Sequence, residues 1–111
     1  MTNQLVSDAD IEKALDFLRD SAQTAAQSRA DRVHMEEYRK SLKAMIMQEH
    51  NDLPVSAQER EAYADARYVA HLESMKQAVF LDERNRFLRQ AADAKIEAWR
   101  TMNANYRSMK I

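Results

Sequence analysis

An all-α fold, arranged as a long antiparallel helical hairpin, is what this sequence predicts, and three observations carry the prediction. Gly is absent and Pro occurs once. The chain therefore has no low-cost residue for positive φ, which all but excludes tight β-hairpins and phosphate-cradling loops. Apolar residues recur at three- and four-residue steps through two long stretches of nearly equal length, the mark of amphipathic helices. A single Pro-containing break separates the two. The predicted helices cover about 8–49 and 65–109, with a short helix at about 56–64 and a linker at 50–55.

Residues 1–6 read as a frayed lead-in. Ser7 is the first strong start signal: an N-cap with Asp8 and Asp10 in the first turn, where the helix dipole favours acids. Asp10 stands three after Ser7 in an acidic variant of the capping box, and Val6 and Ile11 occupy the positions of a hydrophobic staple. The helical period then runs through Ile11, Leu15, Leu18, Ala22, Ala25, Ala30, Val33, Tyr38, Leu42 and Ile46. Its middle, Ser21 to Ala30, is small and polar, which reads as a thin waist. Asn51 is placed to take a left-handed conformation after the helix, and Pro54 forbids continuation. Ser56-Ala-Gln-Glu59 spells a capping box for the short helix, and Asp65 can cap the last one.

The last helix carries Tyr68, Leu72, Met75, Val79, Phe87, Ala91, Ala98, Met102 and Met109 at helical spacing, and the lone Trp, Trp99. Centring the turn near residue 57 pairs residues whose numbers sum to about 114. Leu15 then meets Trp99, Leu18 meets Ile96, Ala22 meets Ala92, Ala26 meets Leu88, Val33 meets Leu81 and Leu42 meets Leu72, with Arg29 against Asn85. Two helices cannot bury both apolar faces. Phe17, Met35, Met47, Val69, Phe80 and Tyr106 fall at or outside the seam, so a homodimer forming a four-helix bundle is expected.

The chain of 111 residues is read as one helical domain, 1–111, near the size where a single core is just adequate. Residues 1–37 hold four Lys or Arg against eight Asp or Glu, residues 38–83 six against eight, and residues 84–111 seven against two. The pairing rule sets Asp8, Asp10, Glu12, Asp16 and Asp20 beside Lys95, Arg100, Arg107 and Lys110, so mutual neutralisation explains the asymmetry. With no Cys there is no disulfide, thiolate nucleophile or Cys-type zinc site. No signal-peptide pattern opens the sequence and no apolar run reaches about 18 residues, so a cytoplasmic protein with no membrane contact is expected.

Several chemistries find no support. Without Gly there is no P-loop, dinucleotide fingerprint or nucleophile elbow. His34, His50 and His71 lack the paired Glu-x-x-His pattern of a di-iron bundle, Asp31-Arg-Val-His34 being the nearest approach. The many adjacent carboxylates read as solvated faces, because acid–base work needs a pocket that shifts a pKa. The expectation is a protein that is not an enzyme and has no metal, cofactor or small-molecule substrate.

Two surfaces remain. Arg86, Arg89, Arg100 and Arg107 fall within about 60° of one another on a helical projection, a basic stripe suited to a phosphate backbone, with Asn103, Asn105 and Tyr106 beside it. Met45, Met47, Leu53 and Val55 near the hairpin tip form an apolar cap suited to a protein partner.

The run Glu59-Arg-Glu-Ala-Tyr-Ala-Asp-Ala-Arg-Tyr68, with Glu83-Arg-Asn-Arg-Phe-Leu-Arg89 and Ala94-Lys-Ile-Glu-Ala-Trp-Arg-Thr101, resembles small all-helical proteins of tailed bacteriophages and prophages. The resemblance spans roughly residues 56–108 and transfers no functional residue. It implies a setting, the host cytoplasm beside early recombination or replication genes. Two functions are therefore expected to compete. One is an accessory protein that touches DNA or a DNA-handling protein. The other is an interaction module or inhibitor aimed at a host enzyme or defence complex, without nucleic-acid contact.

Overall fold

The computed structural model describes residues 6–109. Among them the chain is all-α, with α1 (Asp8–Asp20), α2 (Ala22–Glu49), α3 (Val55–Ala64) and α4 (Ala66–Met109) and no strand. The predicted antiparallel hairpin is the fold, and α3 is a separate short helix. The arms pair within two compact units, Met1–Ala25 with Arg84–Ile111, and Ala26–Glu83. Most of the predicted lead-in and Lys110 lie outside the described residues.

In the first unit Ser7 starts α1 as its sequence requires. Asp10 N–H donates to Ser7 Oγ at 3.2 Å, and Ser7 N–H donates to Asp10 Oδ2 at 2.9 Å. This reciprocal box satisfies two helix-end donors, and Val6 and Ile11 beside it are both buried. The Ser7 backbone bond, then its hydroxyl, hold the Asp10 carboxyl below its ordinary range, with Lys95 adding to the effect.

The helix predicted over 8–49 is interrupted at Ser21. Ser21 keeps helical angles, φ −90° and ψ −3°, and its N–H still donates to Phe17 O at 2.9 Å. The cause lies on the opposite arm. Arg89 Nη1 donates to Leu18 O at 2.9 Å and to Ser21 Oγ at 2.8 Å. A side chain entering the backbone ladder is an ordinary source of a helix break.

The second unit is anchored at the hairpin's closed end. Leu42, Ile46, Ala62 and Tyr68 form a buried cluster with Met47 packed on it, and Ile46 is fully withdrawn from solvent at 0% exposure. Lys43 reaches α3, its Nζ donating to Tyr63 Oη at 2.8 Å. Two expectations about this end need correction, and a third holds. Asn51 is not left-handed, since no described residue has positive φ. Instead, His50 N–H donates to Met47 O and Leu53 N–H to His50 O, three-residue turns that cap the carbonyls without that conformation. The Ser56 capping box is also unmade. Pro54 is the N-cap, at φ −59° and ψ 154°, so Ser56 is already inside the helix. Its fixed φ aims the chain, and Pro54 O accepts from Gln58 N–H. Asp65 does cap α4, accepting from Arg67 N–H at 2.8 Å.

Arg67 then clasps the ends of α2 and α4 together by gripping Glu49 with both terminal nitrogens while also pairing with Asp65. Arg67 holds both carboxyls below their ordinary ranges, and they in turn raise Arg67. Deeper along the pair, Arg32 serves Glu36 at 2.9 Å, Glu83 at 2.9 Å and Asp82 at 3.2 Å. Asp82 is 8% exposed, and that guanidinium is its ion-pair partner across the seam. His71 Nε2 donates to Met35 O at 2.7 Å, which fixes that nitrogen as protonated, and its ring meets Tyr38 at 5.4 Å.

Withdrawn positions show how the arms meet. In the second unit Ser28, Arg32, Met35, Arg39, Leu42 and Ile46 alternate at three- and four-residue steps, and so do Tyr68, His71, Met75, Ala78 and Asp82. In the first, Ile11, Ala14, Leu18, Ser21 and Ala25 do the same, as do Asn85, Arg89, Ala92, Ile96, Trp99 and Asn103. That is coiled-coil spacing, with polar residues at several seam positions.

The predicted register is out by one to two helical turns. Trp99 meets Asp8, not Leu15, its Nε1 donating to Asp8 Oδ1 at 3.0 Å. Tyr68, not Leu72, packs with Leu42. Leu15, Val33, Leu72, Leu81 and Leu88, all assigned to the seam, are exposed. A midpoint rule counts residues and ignores both the folding back of α3 onto α2 and the polar partners that lock the real register.

Candidate functional site

The four arginines of the predicted stripe do not form one surface. Arg89 turns into the seam, held by Leu18 O and Ser21 Oγ, and is structural. The guanidinium of Arg86 lies over the Phe87 ring, 5.0 Å from its centroid. Arg100 and Arg107 remain on the outside of α4. Arg100 Nη1 pairs with Glu97 Oε1 at 2.9 Å, and both side chains are about two-thirds exposed, at 67% and 66%. Such an exposed i, i+3 pair is worth a few tenths of a kcal/mol and yields easily to a competing anion.

Around those two arginines α4 carries an open hollow of about 660 Å³, lined among the described residues by Trp99, Arg100, Asn103, Ala104, Tyr106 and Arg107. The Asp8 hydrogen bond fixes the indole edge of Trp99. Asn103 and Tyr106 follow Trp99 along the seam side of α4, and Trp99 already sits at the first turn of α1. This stretch thus runs past the start of its partner helix. Two guanidiniums, an amide and two aromatic side chains share one concavity.

The predicted mutual neutralisation of the first unit is only partly made. Lys95 acts on Asp10. Asp16 and Asp20 instead pair with Arg19 on their own helix, and Arg100 with Glu97 on its own. Each arm therefore neutralises much of its charge locally.

The predicted apolar tip divides as well. Met47 packs on the closed-end cluster, whereas Met45, Leu53 and Val55 are exposed. They belong to a larger population. Fifteen large apolar or aromatic side chains are exposed among the described residues, against nine buried hydrophobic residues, four of them Ala. The two phenylalanines of α4, Phe80 and Phe87, are 60% and 57% exposed. The exposed large apolar side chains thus outnumber the buried ones among the described residues.

Two further hollows open on the seam flank. One of about 370 Å³ lies among Ser28, Asp31, His34, Met35, Ser74, Gln77, Ala78 and Leu81. The other, about 280 Å³, is lined by Asp10, Lys13, Ala14, Phe17, Leu88, Ala91, Ala92 and Lys95. His34 stacks on Tyr38 at 6.1 Å. Among the described residues no three His, Asp or Glu are grouped to hold a metal ion, and no helix is long and apolar enough to cross a membrane.

Sequence reasoning did not find Arg32, Asp82 or Arg67. The available signal was the strict three–four spacing of the seam, which puts Arg32 and Asp82 at facing core positions. Compared with known proteins, the chain matches no family model, no curated protein and no solved structure.

Proposed function

We propose that this chain is a non-enzymatic accessory protein that works by protein–protein contact. Its first partner is a second copy of itself, completing a four-helix bundle, and the dimer engages a DNA-handling protein of phage-type recombination or replication. The observation that carries this reading is the excess of exposed large apolar side chains over buried ones, Phe80 and Phe87 among them. A hairpin whose seam contains Ser28, Arg32, Asp82 and Arg89 leaves much of its hydrophobic driving force on the outside. The phage setting rests on the resemblance of residues 56–108.

Solution mass by light scattering tests the first step. The expected mass is twice the 12.9 kDa chain, falling to one chain in Phe80→Ser with helical circular dichroism retained. Affinity capture from nuclease-treated bacterial lysate tests the second and should retain a stoichiometric DNA-handling protein. A wild-type monomer, indifferent to Phe80→Ser and retaining no such protein, overturns the proposal.

A further inference from the structure

The hollow on α4 is chemically unlike the apolar faces and needs a different ligand. From its geometry we infer a contact site for single-stranded nucleic acid, with Arg100 and Arg107 on phosphates and Tyr106 and Trp99 offering ring faces to bases. The inference is independent of the protein-partner reading.

Arg100 and Arg107 are seven residues apart on one helix, a rise of roughly 10 Å, and so address phosphates of neighbouring nucleotides rather than one shared group. Asn103 lies between them with both amide donors and an acceptor to offer. Trp99 and Tyr106 have the same seven-residue separation on the adjoining strip of the helix, and the hollow joins all five side chains. Alternation of cationic and aromatic groups along a groove is the general solution for unpaired strands, because every base has a π-face but only an unpaired base presents it. A duplex offers phosphates but keeps its bases stacked. Free phosphate uses the arginines alone. Among the described residues Arg100 pairs with Glu97, and that pair is exposed.

The lone Trp of the chain lies in the site, so its fluorescence reports occupancy directly. The probes are an oligo-dT strand, a duplex of equal length and inorganic phosphate, titrated into the full chain at 50 mM salt. Saturable quenching by oligo-dT is expected, with the duplex at least tenfold weaker and phosphate without effect at matched concentration. Two phosphate contacts give a logarithmic salt slope near −1.4, so affinity should fall about sevenfold between 50 and 200 mM salt. Removing one arginine should halve the slope, leaving a loss of about 2.6-fold. Arg100→Gln and Arg107→Gln each make that measurement. Tyr106→Leu should weaken oligo-dT binding about tenfold while leaving the salt slope unchanged. Unaltered circular dichroism keeps each variant interpretable. No quenching by oligo-dT overturns the site. So does equal binding of the duplex, a full response to phosphate, or a salt slope insensitive to both arginines.

Discussion

Removing the Arg89 side chain separates a structural arginine from its neighbours in the same stripe. Arg89→Ala strips two hydrogen bonds at once, 2.9 Å to Leu18 O and 2.8 Å to Ser21 Oγ. Bonds from a charged donor contribute about 1.5–3 kcal/mol each when buried. Arg89 is half-buried and the released groups regain some water, so the loss for the pair should be about 2 kcal/mol. The matching substitutions Arg100→Ala and Arg107→Ala remove exposed groups and should each cost under about 0.5 kcal/mol. Urea unfolding at fixed m-value reads the difference as a shift in midpoint. Ser21→Ala should cost less than Arg89→Ala, because Leu18 O keeps its donor. The double variant should be about 1 kcal/mol less destabilised than the sum of the two. Equal midpoints for Arg89→Ala and Arg100→Ala refute the assignment of Arg89 to the seam and return it to the surface set.

Three other outcomes follow from charges and core. Arg67 lowers the folded-state pKa of Glu49 and Asp65 from ordinary values of 4.5 and 3.8. Their contribution is therefore complete at neutral pH and fades as pH falls below about 5 through the folded values; melting temperature against pH should show that decline, flattened in Arg67→Met. Arg32→Met leaves buried Asp82 beside Glu83 and Glu36 without its cation, so its urea midpoint should fall well below that of Arg100→Ala, which loses only a pair with an exposed acid. Ile46→Ala, at the fully buried centre of the closed-end cluster, should cost about 2–5 kcal/mol by urea midpoint.

Local grammar was the readable part of this fold. Ser7 with Asp10, Pro54 and Asp65 mark helix ends by side-chain chemistry within a few residues, and each end lies where that chemistry requires. The register was harder because α4 carries two overlapping apolar phases. Tyr68, Leu72, Met75 and Val79 make one; Tyr68, His71, Met75 and Ala78 make the other. Hydrophobicity alone favours the first. The second is chosen because His71 meets Met35 O, Asp82 meets Arg32 and Arg89 meets Leu18 O. Polar residues with partners on the distant arm are invisible to a count of apolar steps. The same blindness placed Arg89 on the outer stripe, since its angle on a helical wheel is close to that of Arg107 and nothing local says which of them has an arm to face.

Phe80 shows why no internal rearrangement supplies the missing burial. It stands two residues after Ala78 and two before Asp82, both seam positions, and so points about 160° away from each at 100° per residue. Rolling α4 to bring Phe80 inward would expel Ala78 and take Asp82 from Arg32, exchanging one buried ring for an uncompensated charge network. Phe87 stands in the same relation to Asn85 and Arg89, and turning it inward would release Leu18 O and Ser21 Oγ from their donor. In each unit, then, the polar seam contacts that fix the register also hold an aromatic ring in water. On the proposed reading a second chain covers those rings. That arrangement uses seam polarity to specify how the arms meet and surface apolarity to specify what they meet next, two tasks that one small apolar core could not keep distinct.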